Sequence, residues 1–259
     1  MSIEETCRKY GISNYTINDD GSIDVNNEVF IAARGLTELP LKFNKVSWNF
    51  DCSANKLTTL EGSPKSVGGY FKCNVNKLTT LEGGPESVDS YFTCDDNNLT
   101  SLKGGPKSVG VFFCGSNNLT DLEFSPEKVG GDFHCFGNKL TSLKGCPESI
   151  GGDFTCTGNN LTSLKGCPKN IGQNFNADGN NIIDLIETPE SLKGYMKLHY
   201  NPIESVIGSE VAYIEFLRAF NTFKIIKDGV VNLKRLKYVM EIFDKPINIE
   251  EILKYYKIK

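Results

Sequence analysis

From Phe50 onward the chain copies itself, and a fixed period of about twenty residues admits only stacked architectures. The segment FTCTGNNLTSLKGCPKNIG, which begins at Phe154, is a near copy of FHCFGNKLTSLKGCPESIG, which begins at Phe133. Anchored on the Asn of an N-x-L triplet, the units fall on Asn55, Asn76, Asn97, Asn117, Asn138, Asn159, Asn180 and Asn201. The step is 21 residues, shortened once to 20 between Asn97 and Asn117. A weaker unit precedes them: Val29, Ile31, Leu36 and Leu39 keep the phase, and Arg34 stands where the Asn should be. Nine units result.

Each column has a physical reading. Five residues before the Asn stand Phe50, Phe71, Phe92, Phe112, Phe133, Phe154, Phe175 and Met196. Three before it stand Cys52, Cys73, Cys94, Cys114, Cys135 and Cys156, then Ala177 and Leu198. Residues two apart on a strand share a face, so Phe and Cys enter the core together. The Asn reads as structural, because a buried amide can bond backbone groups that neighbouring coils leave unpaired where their strands turn away. One thiol per coil in a straight file cannot surround a zinc ion, so the six aligned cysteines read as small buried hydrophobes, reduced and protected. Cys146 and Cys167 form a second, shorter file, close enough at ~4.8 Å per coil to oxidise in air. Twenty-one residues leave no room for a strand, two turns and a full helix. The far side is therefore expected to be extended or polyproline-like, started by prolines such as Pro147 and turned by pairs such as Gly68-Gly69.

The pattern P-x-S-V-G-G-x-F-x-C-x-x-N-x-L-T-S-L resembles the short bacterial class of leucine-rich repeats, with F-x-C in place of L-x-L. With the lead-in YTINDDGSIDV and LTELPLKF, it more closely resembles leucine-rich repeat proteins of large tailed bacteriophages, from about residue 11 to the start of the C-terminal helices. The resemblance implies a β-rich, right-handed solenoid of about nine coils, with a parallel concave sheet, few convex helices and a small α-helical C-terminal cap. For function it implies binding alone, since a fold does not carry an activity. The short class also includes secreted effector ubiquitin ligases, which resemble one another in a large helical domain with a nucleophilic Cys. Here only about 50 residues follow the repeats and the last cysteine is Cys167, so ligase chemistry is not expected.

The phase also gives the outward positions, six, four and two residues before the Asn. Most carry Ser, Thr, Asn or a charge, but Tyr70, Tyr91, Phe113, His134 and Phe136 cluster on four adjacent coils, with Asp95, Asp132 and Asp153 at or near their edge. Exposed aromatics with a polar rim have the composition of an interface hot spot, and these eight residues are the expected partner-binding site on the concave face. The duller alternative is repeat drift that left aromatics outside or packed on one another.

Both ends need covering. Residues 1–28 read as an N-terminal cap, a short helix over residues 3–10 and a β-hairpin that alternates on both sides of Asp20-Gly21. The solenoid is assigned to residues 29–207. Residues 208–259 read as a helical cap. Ser209 is placed to cap a helix carrying Val211, Ile214, Phe216, Leu217, Phe220 and Phe223; a turn follows at Asp228-Gly229. Leu233, Leu236, Val239, Met240 and Phe243 mark a second helix halted by Pro246, and Asn248 with Glu251 has capping-box spacing for a third. This tail carries ten Lys and Arg against seven Asp and Glu, so it could also dock a partner.

A formal net charge of −4 argues against a general nucleic-acid or anionic-membrane binder, and no apolar run approaches a bilayer span. The start MSIEETCRKYG lacks the build of a secretory signal, and nine cysteines are an odd count for a disulfide framework; a reducing cytoplasm is the expectation. Motifs of phosphate, zinc or nucleophilic chemistry are missing, and His134 and His199 fall three coils apart, roughly 14 Å, too far to share a metal. The expectation is a protein with no catalytic role, metal or cofactor, phage-encoded, that binds a host or phage protein in the infected bacterial cytoplasm. The alternatives are a small-ligand or nucleotide binder and a structural or virion-associated protein.

Overall fold

The computed structural model describes residues 1–208, 210–211 and 214–259. In it the repeat closes into a β-solenoid of leucine-rich-repeat type. Val29, Phe50, Phe71, Phe92, Phe112, Phe133, Phe154, Phe175 and Met196 form nine rungs of one parallel ladder. The phenyl rings enter the core and follow one another at centroid separations of 5.1–5.7 Å. The far side is extended, as expected, but it is also paired. Val25, Val46, Val67, Val88, Val109, Val129, Ile150, Ile171 and Leu192 build a second parallel ladder.

A glycine-rich bend separates the two ladders. A Cβ at Gly151 would lie 1.9 Å from the Gly130 carbonyl oxygen, so coil can meet coil there only through bare backbone. The 20-residue step is resolved at this bend. Strands Ser87–Thr93 and Ser108–Phe113 run unbroken through it, and the register shifts between Val88 and Tyr91 because Val109 and Phe112 are one residue closer than Val88 and Phe92.

The Asn column performs the work expected of it. Asn76 donates from Nδ2 to the carbonyls of Cys52 in the coil behind (3.1 Å) and Cys73 in its own (3.0 Å), while its Oδ1 accepts the Leu57 N–H at 2.9 Å. The same bonds recur down to Asn201. The six aligned cysteines are fully buried and free, and burial pushes their thiol pKa values far up. Cys146 and Cys167 are half-buried free thiols.

At the front, helix Ile3–Tyr10 starts on a Ser2/Glu5 capping box, and strands Tyr15–Ile17 and Ile23–Val25 pair antiparallel. At the back, the structure corrects the helical reading of Val211. Strand Glu210–Val211 pairs antiparallel with Met196–Lys197 and covers the edge of the last rung, a position where an unpaired strand would be exposed. The helix itself spans Ile214–Thr222; Ser209, read as its cap, lies outside the described residues. Helices Leu233–Ile242 and Ile249–Leu253 follow, capped by Asn232 and Asn248. The Asp228-Gly229 turn joins Ile226–Lys227 to Val230–Val231, and Lys257–Ile258 adds a third strand to that small sheet.

Candidate functional site

The outer face of the first ladder carries the residues singled out in the sequence. Tyr70 and Tyr91 stack at 4.9 Å with planes 18° apart, Tyr91 meets Phe113 edge-on at 6.5 Å, and Phe113 stacks on His134 at 4.9 Å and 4°. Four adjacent rungs therefore present one continuous chain of rings, each half-buried against its neighbours. Parity along the strand put these side chains outside; rung spacing brings them into contact.

Phe136 does not join this chain. It leans instead over Gly115 in the preceding coil, where a Cβ would come 2.5 Å from the ring, and it remains 37% exposed. Gly115 is the seat for that ring, a role its own file position did not announce.

Sequence reasoning did not select Lys72. Its ammonium lies 4.7 Å from the Tyr70 ring centre and 5.7 Å from that of Tyr91, a cation held over the stacked pair. The same Tyr-x-Lys spacing recurs at Tyr195 and Lys197, with Nζ 5.2 Å from the ring. That repetition was the available signal.

The acidic residues divide by role. Asp132 Oδ1 accepts the Asp153 N–H at 2.8 Å, and Asp153 Oδ1 accepts the Asn174 N–H at 2.8 Å and its Nδ2 at 3.0 Å. Asn49 and Asn174 act alike toward Tyr70 and Tyr195, so this column bonds each coil to the next. Asp132 Oδ2 lies 3.9 Å from His134 Nε2. Burial nevertheless lowers the His134 pKa, against the pull of Asp132 and Asp153, so the imidazole facing Phe113 is neutral at pH 7. Asp95 accepts the Gly115 N–H and, at 3.2 Å, the Thr93 hydroxyl; burial outweighs both bonds and pushes its carboxyl up to about 6.

Beyond Asp153 the face becomes polar, with a hollow of about 120 Å³ bounded by Thr155, Asn174, Asn176, Tyr195 and Lys197. Among the described residues, no group of three or more His, Cys, Asp or Glu is arranged to hold a metal ion. His199 instead lies 3.7 Å from Glu204. Among the same residues, no helix is long and apolar enough to cross a membrane.

No protein-family profile matches the chain, and no curated protein matches it. Among solved structures the chain is similar to YopM from Yersinia enterocolitica WA-314, at 20% sequence identity and a TM-score of 0.38. The match covers 68% of this chain and 47% of that one, so the chain spans about half the length of the protein it matches.

Proposed function

We propose that the protein is a non-catalytic scaffold that binds another protein through the outer face of its first ladder. The observation that carries this reading is the unbroken chain of rings Tyr70–Tyr91–Phe113–His134, with Phe136 beside it. Aromatic side chains lose little conformational entropy on binding and supply most hot-spot energy. The partner is basic as well as apolar. Asp51, Asp132, Asp153 and Asp178 outnumber Lys72 and Lys197 on the three outward files, Asp95 being turned to Gly115 and Thr93, and such charges orient an incoming partner more than they hold it. The likeness of the Phe-Cys repeat to phage leucine-rich repeat proteins supports a finer reading: a phage-encoded protein that binds and inhibits or redirects a host protein in the infected bacterial cytoplasm.

The test is the double substitution Phe113→Ser with Phe136→Ser, compared with the unaltered protein in tagged capture from infected bacterial lysate and then in titration against the captured partner. Binding should weaken by at least about tenfold, while the melting temperature stays nearly unchanged. A large drop in melting temperature would make these rings part of the core. Unchanged binding would move the site off this face.

A further inference from the structure

Six residues after the Asn, the first six full coils carry Glu61, Glu82, Lys103, Glu123, Lys144 and Lys165. Neighbours in this column pair across coils: Glu82 with Lys103 at 2.7 Å and Glu123 with Lys144 at 2.6 Å. The next coil breaks the column with Ile186. It also breaks the Thr column three after the Asn, Thr58 through Thr162, with Ile183. The C-terminal tail packs here, and the Tyr256 hydroxyl donates to the Ile183 carbonyl at 2.8 Å. Yet the tail leaves Ile186 58% exposed, so packing against it does not account for the change.

Ile186 borders a hollow of about 410 Å³ between the last coils and the tail, a size in the range of small-molecule sites. Buried Phe220 and Ile225 give it an apolar wall, and Lys224 and Lys227 stand at its rim. Its two carboxylates are bound to backbone: Asp184 Oδ1 accepts the Ile186 N–H at 3.2 Å, and Glu187 Oε2 accepts the Gly166 N–H at 2.8 Å. Among the described residues, neither Lys224 nor Lys227 has a carboxylate within ion-pair distance. An apolar wall with two ammonium groups held in no ion pair, beside carboxylates already turned to backbone N–H groups, complements a molecule with an apolar body and one negative end.

We propose that this hollow binds a small amphiphilic anion, an alkyl or aryl carboxylate, with its apolar part on Ile186, Phe220 and Ile225 and its carboxylate between Lys224 and Lys227. The site is separate from the ring-bearing face and joins solenoid to tail. Decanoate, titrated calorimetrically into the full chain below micelle-forming concentration, should bind saturably at one site. Decyltrimethylammonium, with the same chain and opposite charge, should bind at least about tenfold more weakly. Ile186→Glu gives this coil a residue that three other coils carry at the same position, and should abolish decanoate binding without unfolding the protein. Lys224→Gln with Lys227→Gln, both exposed positions, should weaken it about tenfold. Equal affinity for the two amphiphiles, no saturable binding of decanoate, or binding unchanged in the lysine pair would overturn the assignment.

Discussion

The two ladders are built from the same coils at the same spacing, yet their outer surfaces differ. On the second ladder the residue before each inward Val, Ile or Leu is Lys45, Ser66, Ser87, Ser108, Lys128, Ser149, Asn170 or Ser191, small or charged in each of these coils. On the first, the corresponding outward positions carry Tyr70, Tyr91, Phe113, His134 and Phe136. Random drift of a duplicated unit would scatter aromatics over both surfaces. The contact of Tyr70, Tyr91, Phe113 and His134 on four adjacent rungs of one surface is what weakens the drift explanation.

The second ladder is bounded by the glycine bend, and Gly151→Ala would drive a methyl into the Gly130 carbonyl; the cost should be about 3 kcal/mol, read as a lowered denaturation midpoint. A near-neutral result would mean the two ladders are not locked together there, and that the uniform second surface needs another cause.

A smaller effect tests the first ladder's electrostatics. Asp95 is ionised at pH 7 in folded and unfolded chains alike, but only the folded state holds that charge in a poorly solvated place. Stability therefore rises as pH falls through about 6, and the gain is complete near 3.8, where the unfolded chain is protonated too. Asp95→Asn should stabilise the protein at pH 7, with an advantage that shrinks toward pH 4. A difference constant across that range would mean the carboxyl is solvated and free to face a partner.

The smallest effect lies at Phe124, which holds φ +66° where most other coils place Gly. Phe124→Gly should relieve left-handed strain by about 0.5–1 kcal/mol, less than the full penalty because glycine loses more entropy on folding. A destabilised variant would show that the exposed ring packs usefully in place.

The first ladder, the Asn bonds and the buried thiols were legible because each is a column repeated in nearly every coil, and repetition averages away local ambiguity. The second ladder was not, because its rungs are mostly two residues long and Ser-Val reads equally as free extended chain or as a paired strand. Val211 failed for the opposite reason: a single apolar residue fits a helical stripe, and only the need to cover the Met196–Lys197 edge makes it a strand. At the face, parity fixed which side chains point outward. It could not give the lean of Phe136 onto Gly115 or the seat of Lys72 over two tyrosines, which depend on side-chain rotamers.

The bonds of the Asn column also give the array a direction. Each side chain ties its own coil to the one behind: Asn55 reaches Ile31, Arg34 and Leu36, and Asn201 reaches Ala177 and Ile182. The first coil has a cap and not another repeat behind it, which is why Arg34 can stand in that column without an amide being missed. Interior coils are thus interchangeable links, each bringing its own fastener, and the near identity of the Phe133 and Phe154 segments is what a chain lengthened by copying one link would leave. Removing one whole 21-residue link from the interior should close the gap with every fastener still engaged. Removing the first or last coil would strand a cap on a surface it does not fit.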